Sequence, residues 1–370
     1  MADANVTRMA QVLVDYSTAI QPGDTVLIEA TTLAEELVRE VYRRVLERGG
    51  HPHLLLSLPD QEEIFYTAAS RDEQLDFIPA LHHYAAENFD ARIRIYSEGN
   101  TRGLNSVNPA RQARRQKALS VVQRAVFRRA AEDQLRWVST LFPTQAYAME
   151  AGMGWHEYRN FVFSACAVDG SVPDPVAYWQ EVGRQQQKFI SAFQGHDRVT
   201  LRGTNVDLTL SIRERRFLNS CGIHNMPDGE IYTGPVEDSV EGWVRFTYPA
   251  IYGGRAVEGV ELTFEKGQVV KASARTNTEF LEQTLNSDPG ARYLGEFAIG
   301  TNFHINRFTG NILFDEKIGG TFHLALGNSY PETGGRNQSA IHWDMICDLR
   351  TDSEILVDGE VVYRNGEFLI

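Results

Sequence analysis

From the start of the chain to about Ala192, apolar runs of strand length alternate with longer stretches whose apolar residues recur every three or four positions. DTVLIEA is followed by LAEELVREVYRRVLERGG and HPHLLLSL, and later come RIRIYS and WVSTLFP. Short continuous apolar runs predict buried strands, and the 3.6-residue period predicts amphipathic helices, so the alternation implies βα units on a parallel sheet. Thr31 and Thr32 offer a helix cap, and Gly49-Gly50 marks a helix end. None of the strand-to-helix turns carries GxGxxG, GxxxxGKS or GxxxxGKT, which excludes a dinucleotide fingerprint and a P-loop.

After the helical stretch PVAYWQEVGRQQQKFISAF the pattern shortens to a period of two. RVTLRGTNVDLTLSI, EGWVRFTYP and AVEGVELTFEKGQVVKASA alternate apolar and polar residues and are rich in Thr and Val. Turn signals at Arg202-Gly203-Thr204, Pro227-Asp228-Gly229 and Glu265-Lys266-Gly267 separate them, predicting antiparallel strands and hairpins. In the closing EILVDGEVVYRNGEFLI, Asp358-Gly359 and Asn365-Gly366 read as hairpin turns. The expected organisation is an α/β domain with a parallel sheet over 1–195, then an α+β domain over 196–370 rich in antiparallel strands, with the break near Gly195 to His196.

At 370 residues the chain is long enough for two domains with a core in each. Its apolar and charged contents, 42% and 23%, are those of a globular protein, and no apolar run approaches the roughly 20 residues that span a bilayer. MADANVTRMAQVLVDYS lacks the basic and apolar regions of a signal peptide, so a cytoplasmic location is expected. Cys166, Cys221 and Cys347 are odd in number and far apart, and read as small buried hydrophobes. A net charge of -13 argues against a nucleic-acid partner. The basic stretch RQARRQKALSVVQRAVFRR has helical apolar spacing and reads as a solvated helix face.

Candidate chemistry concentrates in the second half. His342 and Asp344 are two apart, so on a strand they project from one face while Ile341, Trp343, Met345 and Cys347 fill the other. Glu230 in NMPDGEIYTGP, Glu296 in YLGEFAIGTN and His323 in FDEKIGGTFHLALG are further polar insertions into apolar or glycine-rich surroundings. Several ionised groups in such segments are costly unless a cation compensates them. Three carboxylates and two imidazoles suit zinc, cobalt or manganese, and five ligands exceed what one catalytic zinc uses. Two divalent ions sharing a carboxylate are therefore expected, lowering the pKa of a bound water toward about 7. HEYRN at His156 lacks the second histidine of HExxH, and no GxSxG elbow exists for a serine hydrolase.

NMPDGEIYTGPVEDSVEG, YLGEFAIGTN, FDEKIGGTFHLALGNSYPETGGRNQSAIHWDM and the closing VDGEVVYRNGEFL together resemble the M29 metallopeptidases, the thermophilic or leucyl aminopeptidase family. The resemblance implies a metal-dependent aminopeptidase that removes N-terminal residues from peptides with a free N-terminus, acting as a homodimer. It implies that Glu230, Glu296, His323, His342 and Asp344 are ligands of two metal ions, with Glu296 bridging them. Glu316 falls where the family carries a further acidic residue close to the metals, as a direct ligand or just behind one, although two extra residues separate it from His323 compared with some members. Tyr330 matches a tyrosine that hydrogen-bonds the tetrahedral intermediate, and Glu296 or Glu316 would shuttle the proton.

Two other readings use the same residues. A ring-cleaving dihydroxypyridine dioxygenase needs one ferrous iron on His323, His342 and Asp344, and leaves Glu230 and Glu296 without a task. A non-catalytic binding module would keep the site without turnover.

Overall fold

The computed structural model describes residues 3–370. The chain divides into two compact units, one running through Tyr178 and adding Gly222–Pro227, the other comprising Trp179–Cys221 and Asp228–Ile370.

The first unit is built on a five-stranded parallel sheet in the order His51–Ser57, Thr25–Thr31, Ala91–Tyr96, Arg136–Leu141, Asn225–Met226. Helix Glu35–Glu47 crosses between the first two strands in sequence and buries Leu37, Val38, Val41 and Val45, the stripe its periodicity dictates. The Thr31 hydroxyl accepts from the Leu33 N–H at its entry. The basic stretch forms helix Pro109–Ala131, capped by Asn108. Arg114 pairs with Asp72 and Asp76, and Arg128 with Glu87 at 2.7 Å. Arg129, buried, donates to the carbonyls of Ala86, Phe89 and Gln134.

The second unit holds an eight-stranded antiparallel sheet in the order Gln268–Ser273, Glu261–Glu265, Glu241–Arg245, Val206–Ser211, Arg198–Gly203, Ser353–Val357, Glu360–Arg364, Glu367–Phe368. A second antiparallel sheet has five strands in the order His342–Asp348, Thr321–Gly327, Leu294–Gly300, Glu230–Thr233, Leu218–Ser220. Alternate residues of both meet in one core: Val206, Leu208 and Leu210 from the first, and Phe297, Ile299, Phe322, Leu324, Leu326, Trp343 and Met345 from the second. Each such side chain contributes about 1.5–3 kcal/mol on burial, which pins the register and leaves the other face of the five-stranded sheet free for polar groups. The hairpins expected at Asp358-Gly359 and Asn365-Gly366 are present, with both residues of each turn at positive φ.

Two expectations change. Pro227-Asp228-Gly229 does not close a hairpin: Asn225–Met226 just before it pairs in parallel with Ser139 and Thr140, and Glu230 just after it opens an antiparallel strand. The break expected near Gly195 to His196 falls instead at Tyr178 to Trp179, inside the continuous helix Pro175–Ser191. The reason is packing, because Phe189, Ile190 and Phe193 belong to the core of the second unit. Among the described residues no helix is long and apolar enough to cross a membrane.

Candidate metal centre

The free face of the five-stranded sheet carries the polar insertions in register. Glu296 pairs with Ala325, and Ala325 with Asp344, so two carboxylates flank an alanine across three neighbouring strands. One step along, His323 pairs with Ala298, and Ala298 with Tyr232. His342 sits opposite Gly327, whose φ is +101° and where a Cβ would lie 2.2 Å from the Ile341 carbonyl oxygen, so only glycine fits. Small residues between the chemical ones leave space above the sheet that larger side chains would fill.

The resulting contacts form a chain. His323 Nε2 lies 3.4 Å from Glu230 and 4.0 Å from Glu296, while His342 Nε2 lies 3.2 Å from Glu296 and 3.4 Å from Asp344. Glu230, Glu296 and His323 are only 6%, 4% and 1% exposed. Ligand atoms of Glu296, His323 and Asp344 all lie within 4.8 Å of one another. Glu316, which follows the short helix Ile312–Asp315, reaches the cluster through Lys317, whose ammonium pairs with Glu316 and stands 3.6 Å from Glu230. Five of the six residues read from the sequence as ligands are thus joined by direct contacts, and Glu316 is linked to them through Lys317. Tyr330 joins them too, its hydroxyl 3.5 Å from His342 Nε2 and its ring 5.2 Å from the imidazole.

Three groups were not found in the sequence. Lys317 is fully buried, and nothing in DEKIGG distinguishes it from a surface lysine. The Asn328 carbonyl oxygen lies 2.8 Å from His342 Nδ1 and accepts its proton, which orients Nε2 toward the carboxylates. Tyr232 packs edge-on against Tyr330 at 5.5 Å; its two-residue offset from Glu230 was the available signal.

The electrostatics are those of a site short of positive charge. Burial lifts the Glu230 carboxyl well above its usual range, Lys317 opposes this, and Glu316 and Glu296 add to the rise. Glu316 is likewise raised by burial, against Lys317 and with Asp344. His342 is pushed up to about 12, since Asp344 and Glu296 outweigh the burial that disfavours its charge. Asp344 is lowered because His342 outweighs its own burial. Among the described residues, buried Glu230 Oε2, His323 Nδ1 and Asp344 Oδ1 have no hydrogen-bond partner. An orphaned buried oxygen on Asp344, with donor atoms of Glu296 and His323 within 4.8 Å, is what a divalent cation satisfies, so this donor set fits a bound metal.

A buried carboxylate and imidazole centre on a sheet face, in a two-unit α/β and α+β chain, defines a metal-dependent protein. By sequence it belongs to the thermophilic metalloprotease (M29) family, whose model matches residues 2–368. Similar curated proteins include Aminopeptidase 2 of Geobacillus stearothermophilus, 27% identical over 99% of this chain and 98% of that protein, and Aminopeptidase T of Thermus aquaticus, 26% identical over the same shares. Wild-type AmpT from Thermus thermophilus superimposes with a TM-score of 0.86 at 23% identity, covering 99% of each chain. The 2,5-dihydroxypyridine dioxygenase of Pseudomonas putida superimposes with a TM-score of 0.56 at 13% identity, covering 99% of this chain and 98% of that one. At these identities the two structures speak to the fold alone. Family membership implies a divalent metal, in agreement with the donor set above.

Proposed function

We propose that the chain is a metal-dependent aminopeptidase whose centre lies on the free face of the five-stranded sheet. The observation that carries this reading is the convergence of Glu230, Glu296, His323, His342 and Asp344 from four strands into one buried cluster, in a chain of a metalloprotease family whose similar curated proteins are named aminopeptidases.

Glu296, His323, His342 and Asp344 would hold a divalent ion, zinc, cobalt or manganese, with Glu230 and Glu316 beside them. When bound, such an ion supplies Lewis acidity at the scissile carbonyl and an acidified water. Substrate arrives at the His342 end, where the side chain is 27% exposed while His323 is 1% exposed. A free N-terminal amine docks against a carboxylate of the cluster, which limits cleavage to the first peptide bond. Burial raises the Tyr330 pKa, and neighbouring carboxylates add to the rise, so its hydroxyl stays protonated and donates to the carbonyl oxygen as charge develops there. Glu296 or Glu316 carries the proton to the leaving amine, and the upward shift of Glu316 by burial brings it closer to the working pH.

The count of two ions expected from the sequence needs Glu230 and Glu316 as donors, and Lys317 already engages both of them. A cytoplasmic location and a homodimer belong to the same proposal.

The test is hydrolysis of aminoacyl anilides and dipeptides by purified protein, with N-acetylated peptides as controls. Chelation should abolish turnover and metal should restore it, N-acetylated peptides should resist, and Glu296→Gln should lower kcat/KM by more than about 100-fold. Full activity in exhaustively metal-free protein would refute the proposal.

A further inference from the structure

Lysine is almost never fully buried without a partner, yet Lys317 is 0% exposed and its ammonium faces two carboxylates of the cluster, Glu230 at 3.6 Å and Glu316 in direct contact. Its backbone is fixed on both sides: its N–H donates to the Phe314 carbonyl at 3.0 Å, and its carbonyl accepts from the Asn302 N–H at 3.1 Å. The ammonium is therefore held in place rather than swinging in from the surface. Glu230 divides its oxygens between this ammonium and His323. Among the described residues, the one group of metal-binding type whose donor atoms all lie within 4.8 Å of one another is Glu296, His323 and Asp344, which excludes both partners of Lys317.

We propose that the Lys317 ammonium takes the place of a second divalent ion on the Glu230 and Glu316 side, so that each chain binds a single exchangeable ion among Glu296, His323, His342 and Asp344. A divalent ion lodged beside Glu230 and Glu316 would stand against a fixed positive charge that already offsets part of the negative charge needed to hold it. The inference rests on the metal-dependent reading and narrows it from two ions to one.

The experiment is a metal count. The full chain is stripped with chelator, reloaded with excess zinc or cobalt, desalted, and assayed by elemental analysis and native mass spectrometry; cobalt binding is also followed by its visible absorption bands. One ion per chain is expected, with the cobalt bands saturating at one equivalent. Lys317→Met and the milder Lys317→Gln free Glu230 and Glu316, and are expected to raise the count to two. Two ions retained by the unaltered chain would overturn the inference whether or not the variants fold, as would folded variants that still bind one. A chain that binds none removes the metal-dependent reading itself, and the inference with it, so the two failures are distinguishable.

Discussion

Removing the metal should cost the fold a bounded and reversible amount of stability. Glu296, His323 and Asp344 lie on three successive strands of one sheet, with donor atoms within 4.8 Å of one another, so an ion that joins them ties together strands that unfolding would separate. An ion that binds only the folded state stabilises it by RT ln(1 + [L]/Kd), about 4.1 kcal/mol when free metal is 1,000 times Kd. In a domain of about 150–250 residues each kcal/mol moves Tm by about 2–4 °C. The second unit, Trp179–Cys221 with Asp228–Ile370, is of that size, so chelation should lower its Tm by about 8–16 °C. Differential scanning calorimetry on metal-loaded, stripped and reloaded protein measures this directly. Asp344→Asn, which removes a donor at nearly constant volume, should flatten the response to metal. A Tm that is the same in loaded and verified metal-free protein, or a loss that metal does not reverse, would refute the placement of the ion on these strands.

Tyr330→Phe should lower kcat by about 100-fold with KM little changed, since a donor to the developing oxyanion acts in the transition state; an equal fall in substrate affinity would assign it a binding role. Trp343→Ala should destabilise the chain by about 3–5 kcal/mol in denaturant titration, because Trp343 is 1% exposed and packs against Tyr252 at 5.4 Å and Phe280 at 6.1 Å. Cys166 and Cys347 should resist thiol reagents at pH 8 until the protein is unfolded: both are buried, burial raises Cys166, and burial together with Asp348 pushes Cys347 up to about 12. Loading with ferrous iron under anaerobic conditions, then adding 2,5-dihydroxypyridine and oxygen, should produce no oxygen uptake, because Glu296 shares the pocket with the two histidines and the aspartate; uptake would favour the ring-cleaving reading.

Much of the centre was legible because it sits on strands. Glu296, His323, His342 and Asp344 interrupt apolar runs at alternate positions, and a period of two converts that spacing into a shared face without knowledge of the loops. The intervening Phe297, Phe322, Leu324, Trp343 and Met345 announce the opposite, core-facing side. The parts that were not legible depend on partners distant in sequence. Asn225–Met226 is too short to register as a strand, and only Ser139 and Thr140 make it one. The division within Pro175–Ser191 follows from what each end packs against, while the helix's own periodicity is continuous. Asn328 acts through a carbonyl oxygen, which every residue carries.

Lys317 escaped for a related reason, and it bears on how the centre behaves when stripped of metal. The segment between Glu316 and His323 is six residues long. Its Gly319 donates to the Asn302 carbonyl at 2.9 Å, and a Cβ on Gly319 would stand 2.6 Å from the Phe303 ring. The turn is therefore pressed against residues 301–303, which directs the residue following Glu316 toward Glu230 rather than toward solvent. An ammonium attached to the chain cannot be removed by a chelator. Glu230 and Glu316 then keep their counter-charge when the exchangeable ion leaves, and the repulsion released is confined to Glu296 and Asp344, where His342 answers part of it. That asymmetry is why chelation should cost only the few kcal/mol of one binding event and leave a folded apoprotein, whereas chelation of Lys317→Met should also leave Glu230 and Glu316 without their counter-charge and unfold the sheet at a much lower temperature.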